Sequence, residues 1–154
     1  MKQFPIPVSE QANQGATLQV EIDHSDLTET TANTAQTLTL SVSAGQTVEF
    51  RGYKMATAFK DASDAAFNST ALIIGDGSDT DRFLASTQLN ENGTEVLYSV
   101  GTGTEYVYTA DDTVDITFAA MSGKALNDID TGSMILLFAI RDLAALDEAN
   151  LPAS

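Results

Sequence analysis

The sequence predicts an all-β protein, an antiparallel β-sandwich or jelly-roll-like fold of about eight or nine short strands with minor helical turns. Three observations lead to this. Several segments alternate apolar and polar residues with period two, two runs are apolar on both faces, and Gly/Asn/Asp/Ser clusters separate them. Period-two alternation marks strands with one buried and one wet face, and continuous apolar runs mark strands covered on both sides.

The elements follow in chain order. "TLQVEID" (17–23) sets Leu18, Val20 and Ile22 against Gln19, Glu21 and Asp23, and "TLTLSV" (37–42) aligns Leu38, Leu40 and Val42. "TVEFRGYKMATAF" (47–59) alternates Val48 and Phe50 with Glu49 and Arg51, and Gly52 is the expected site of a bulge. "TALIIG" (70–75) and "MILLFAIRD" (134–142) are the two-faced apolar runs, and "TVDITFAA" (113–120) alternates again. "RFLAS" (82–86), "TEVLYSV" (94–100) and "EYVYT" (105–109) complete the set, with turns at 43–47, 90–94, 101–104, 110–112 and 130–132. Single helical turns are expected at 61–69 and 125–130, and a short C-terminal helix at 142–150. None is long enough to cross over a parallel sheet, which favours antiparallel pairing. The expected division is an extended N-terminal arm (1–16), a β-sandwich domain (17–143) and a C-terminal tail (144–154).

Composition narrows the function classes. A chain of 154 residues buries roughly 70% of its unfolded surface without metal or disulfide. With no cysteine, thiolate metal sites and thiol nucleophiles are excluded. The net charge of −15 and the scattering of the seven basic residues argue against nucleic acid as a partner, because that affinity comes from clustered Lys and Arg. The longest apolar run, "MILLFAI" (134–140), is far below the ~20 residues of a membrane helix, and the N-terminus lacks a signal-peptide core. A soluble chain with no membrane partner is the expectation.

Candidate chemistry centres on "IIGDGSDTDRFLAS" (73–86), where Asp76, Asp79 and Asp81 lie together. As an EF-hand loop counted from Asp76 it fails, with Asp81 where glycine is needed and Thr87 where a bidentate Glu is needed. A different calcium site competes with ordinary acidic turn chemistry, and the turn is favoured. The sole histidine, His24, stands between Asp23 and Asp26 and would be the base of any Ser–His–acid scheme, yet no Gly-x-Ser-x-Gly elbow occurs. Acidic pairs at 111–112 and 147–150 are formal glycosidase candidates, against which stand the missing tryptophan and the 7% aromatic content. "GTGT" (101–104) matches no phosphate loop, and the glycosylation triplets at 68–70 and 92–94 read as chance. No catalytic, cofactor-binding or metal residue is therefore assigned, and no enzyme activity or cofactor is expected.

Three segments carry a family resemblance. "DAAFNSTALIIGDG" (64–77), "YTADDTVDITF" (108–118) and "GSMILLFAIRDL" (132–143) resemble small virion proteins of tailed bacteriophages. The likeness runs over about residues 47 to 143 and implies a non-enzymatic structural role: a capsid decoration or cement protein on the outer surface of the virion head. It implies the major capsid protein and further copies of the chain as partners, with a trimer expected from the local threefold points of capsid lattices. A receptor- or glycan-binding module of a tail or head fibre is the alternative. Expected contact residues are Phe4, Ile6 and Val8 on the arm, Leu72 and Ile74 in "TALIIG", and Leu136 and Phe138 in "MILLFAI".

Overall fold

A computed structural model describes residues 1–7, 15–90, 95–101 and 103–145. Ten strands form: β1 (Lys2–Pro5), β2 (Leu18–Asp23), β3 (Gln36–Val42), β4 (Gln46–Lys60), β5 (Thr70–Gly75), β6 (Leu84–Gln88), β7 (Tyr98–Val100), β8 (Glu105–Val107), β9 (Asp112–Ala120) and β10 (Thr131–Asp142). They pair antiparallel throughout in two sheets. The six-strand sheet runs β1-β2-β10-β4-β7 with β8 also on β4, and the four-strand sheet runs β3-β9-β5-β6. The chain is thus an all-β sandwich, as its periodicity predicts.

Alternation sets the inside of each strand. Val20 and Ile22 (β2), Leu40 and Val42 (β3), Leu72 and Ile74 (β5), Val114, Ile116 and Phe118 (β9) and Met134, Leu136 and Phe138 (β10) meet in one core. Phe50 of β4 packs on Phe138 with ring centroids 5.3 Å apart. Phe59 of β4 reaches across to Phe118 of the opposite sheet at 5.6 Å. Each such ring, fully buried, contributes roughly 2–3 kcal/mol of transfer free energy.

β4 shows how one residue re-phases a strand. Phe138 pairs with Phe50 but Leu137 pairs with Gly52, which leaves Arg51 as an extra residue. Before the bulge the even positions Val48 and Phe50 point inward; after it the odd positions Tyr53, Met55 and Phe59 do. Gly52 has φ +131°, and a Cβ there would lie 2.2 Å from the Ser99 carbonyl oxygen, so glycine is required.

Two expectations need correction. "DASDAAFNS" forms hydrogen-bonded turns rather than a helical turn, because the Asp61 carboxylate accepts from the Ser63 and Asp64 N–H groups and diverts them from helix bonding. Residues 142–145 of the expected C-terminal helix are strand end and turn, and 146–150 lie outside the described residues. Residues 2–5 of the extended arm form an edge strand on this chain's own β2, with Lys2 opposite Glu21 and Phe4 opposite Gln19.

Candidate interaction surface

The aspartate-rich turn is a structural clasp. Asp76 ends β5 with only 1% of its surface exposed. Its Oδ1 accepts from the Ser78 N–H and hydroxyl and from the Asp79 N–H, and its Oδ2 accepts from Arg82 Nε at 2.6 Å and from the Tyr108 hydroxyl at 3.3 Å. The Arg82 guanidinium lies 3.8 Å over the Tyr106 ring, which meets Tyr108 edge-on at 4.9 Å. Burial alone would raise the Asp76 carboxyl, but the donors from Arg82, Ser78 and the backbone outweigh it and hold its pKa down to about 2. The clasp joins the β5–β6 turn of one sheet to the end of β8 on the other. Asp79 is half exposed and 3.9 Å from Arg82, and Asp81 is exposed. Among the described residues no group of three His, Cys, Asp or Glu side chains is placed to share a metal ion.

The other sequence candidates stay apart from one another. His24 sits in the 3₁₀ turn His24–Asp26, with Nδ1 3.9 Å from Asp23, beyond hydrogen-bonding reach. Asp23 is held low by the Ser25 hydroxyl and N–H, and Asp26 accepts from the Asp23 N–H and the Met1 ammonium. Asp111 accepts from the Ala44 N–H and Asp112 from the Thr113 N–H, so each fixes a turn. In the 68–70 triplet the Thr70 side chain is fully buried. The pair at 147–150 and the triplet at 92–94 lie outside the described residues.

The expected contact residues divide in the same way. Leu72, Ile74, Leu136 and Phe138 are fully buried within the chain's own core. The two-faced apolar runs do supply an outer face, but the alternate residues carry it, and these four have no surface left for a partner. Phe4 is 43% exposed, Ile6 is buried, and Val8 lies outside the described residues.

Strand register defines that outer face on the six-strand sheet. One row across the strands reads Phe4, Gln19, Leu137, Gly52, Val100; the next reads Lys2, Glu21, Ile135, Lys54, Tyr98. Tyr98 is 67% and Val100 86% exposed, while Ile135 and Leu137 are half-buried. Gly52 contributes no side chain, so a shallow depression of about 310 Å³ opens between Gln19, Lys54, Ile135 and Leu137. Arg51, Arg82, Lys124 and Arg141 each hold a carboxylate, whereas Lys2 and Lys54 hold none among the described residues. On a chain of net charge −15 this face mixes exposed apolar side chains with Gln19, Glu21 and the two lysines, Lys2 standing opposite Glu21. Sequence reading missed it because its residues come from five strands, and only the register brings them into rows.

The chain matches no protein-family model and no curated protein.

Proposed function

We propose that this chain is a structural, non-catalytic virion protein of a tailed bacteriophage: a capsid decoration protein that binds the major capsid protein on the outer head surface as a homo-oligomer. The observation that carries the reading is the outer face of the six-strand sheet, where Phe4, Ile135 and Leu137 lie in rows with Gln19, Glu21, Lys2 and Lys54. Apolar patches of this kind, rimmed by polar groups, are where soluble proteins meet other proteins. Its lysines suit an acidic surface patch on the capsid, and the acidity of the remaining surface discourages non-specific adhesion to nucleic acid. The family resemblance supports the same reading, because its motifs are fold-forming here: Asp76 of "IIGDG" bonds Tyr108 of "YTADDTV", and Phe118 and Phe138 are core rings.

The test is add-back to purified heads that lack the protein, read by co-sedimentation. Wild type is expected to bind to saturation at a fixed number of copies per capsid subunit, and the Ile135→Ser/Leu137→Ser double variant to lose at least tenfold in affinity. Failure of wild type to bind heads at micromolar concentration would remove the proposal.

A further inference from the structure

β7 is an open sheet edge with an unusual make-up. Met55 donates to the Leu97 carbonyl and Gly101 donates to the Arg51 carbonyl, so Leu97, Ser99 and Gly101 turn their backbone groups toward β4. The intervening residues, Tyr98 and Val100, direct their N–H and C=O groups away from it. No strand of the described residues covers that side. The same two residues expose 67% and 86% of their surface, and Leu97 exposes 46%. Folded proteins blunt open edges with shortness, charge, proline or a covering segment; β7 is short, but it carries neither charge nor proline, and an edge left apolar is a template for another strand.

We propose that β7 is a self-association edge: it takes β7 of a second copy antiparallel, about a two-fold axis through Ser99, and joins the two six-strand sheets into one. The hydrogen-bonding pattern fits this register. With Ser99 opposite its own mate, Tyr98 of each copy stands opposite Val100 of the other, in the position where facing residues exchange both backbone hydrogen bonds. Every outward N–H and C=O of Tyr98 and Val100 on both copies is then satisfied.

The side chains fit as well. Each exposed tyrosine pairs with an exposed β-branched valine, a favourable cross-strand combination. Charge fits too: residues 96–104 contain no Asp, Glu, Lys or Arg, so two copies of a chain with net charge −15 meet at this edge without opposed charges. Lys54, beside Tyr98 in its row, has Val100 and then Gly52 of the second copy ahead of it rather than another lysine.

A two-fold contact between identical patches is the commonest way soluble chains associate. It predicts a dimer rather than the trimer expected from capsid symmetry. Head binding by a monomer would leave the capsid contact standing, without its homo-oligomeric form, and would remove the β7 pairing.

Sedimentation velocity and native mass spectrometry of the full chain decide it, together with one engineered residue. Wild type is expected at twice the 16.3 kDa chain mass at tens of micromolar. Tyr98→Lys/Val100→Lys is expected to run as a monomer that unfolds cooperatively, at the melting temperature wild type shows when diluted to monomer. The chain has no cysteine, so Ser99→Cys places one thiol on the axis, where facing Cα atoms about 4.5 Å apart accept a disulfide. Mild oxidation is expected to convert Ser99→Cys to a covalent dimer while Thr39→Cys, on the other sheet, stays monomeric. A wild type that is monomeric at ~100 µM or trimeric would overturn the proposal, as would failure of Ser99→Cys to cross-link. If the lysine variant does not fold, the cross-link alone decides.

Discussion

The two sheets share one core and one pairing mode, yet their outer faces differ in make-up. The four-strand sheet turns Thr37, Thr39 and Ser41 of β3 and Thr113, Asp115 and Thr117 of β9 outward. Thr37 and Thr117 bond each other across the strands at 3.0 Å, and Thr113 donates to Asp115 at 2.7 Å. That face pairs several of its polar groups with one another. The six-strand sheet turns out Phe4, Ile135, Leu137, Tyr98 and Val100 together with Gln19, Glu21 and two lysines. Folding asks only that inward positions be apolar, so the outward positions are where selection for a partner can be read. The face that carries exposed aromatic and aliphatic side chains is the one to test.

Variants can break the comparison in order of expected effect. Phe138→Ala removes a fully buried ring at the middle of β10 and is expected to lower stability by about 4 kcal/mol in denaturant titration. Asp76→Asn leaves the Arg82 charge facing a neutral amide in a site with little water, and is expected to cost about 3 kcal/mol by the same measurement. This prediction has a pH signature. The folded pKa of about 2 lies below the ordinary 3.8 of an aspartate. The stabilisation from Asp76 is therefore fully present above pH ~4 and disappears as the pH falls through about 2. Thermal melts of wild type and Asp76→Asn are expected to differ at neutral pH and to converge toward pH 2.

Smaller effects separate the faces themselves. Ile135→Ser/Leu137→Ser, one residue away from the core positions of the same strand, is expected to cost about 1 kcal/mol per site, because half of each side chain is already in water. A loss as large as that of Phe138→Ala would mean the outer face belongs to the fold rather than to a partner. Thr39→Lys on the four-strand sheet is expected to change stability by less than about 0.5 kcal/mol and head binding not at all. Reduced head binding in that variant would reverse the assignment of the faces.

Strands that bury a side chain at every second position are legible in the sequence. β2, β3 and β9 lie within a residue of their apolar alternation and β5 coincides with the two-faced run "TALIIG", because each must present Leu, Val, Ile or Phe to the core. The bulge at Gly52 is legible for the same reason, since alternation changes phase there. β1 is not, because all four of its residues are exposed and only the β2 ladder holds it in place. β7 is half legible: "TEVLYSV" reads as a strand, but only its last three residues pair with β4, while Val96 donates to Gln88 of β6. The aspartate turn was recognisable as a turn, with nothing in its spacing to reveal that its first carboxylate would bond a tyrosine 32 positions later. Contacts that distant follow from sheet stacking, which no local pattern encodes.

The clasp at Asp76 also has an optical consequence. The chain has no tryptophan, so its near-ultraviolet absorbance rests on four tyrosines. Burial pushes the phenol of Tyr53 up to about 12, and Tyr108 higher still through burial and the neighbouring Asp76 carboxylate. Two of the four chromophores therefore stay protonated in alkali for as long as the sandwich stays closed. The late rise of the tyrosinate band records its opening from inside the molecule, without a label.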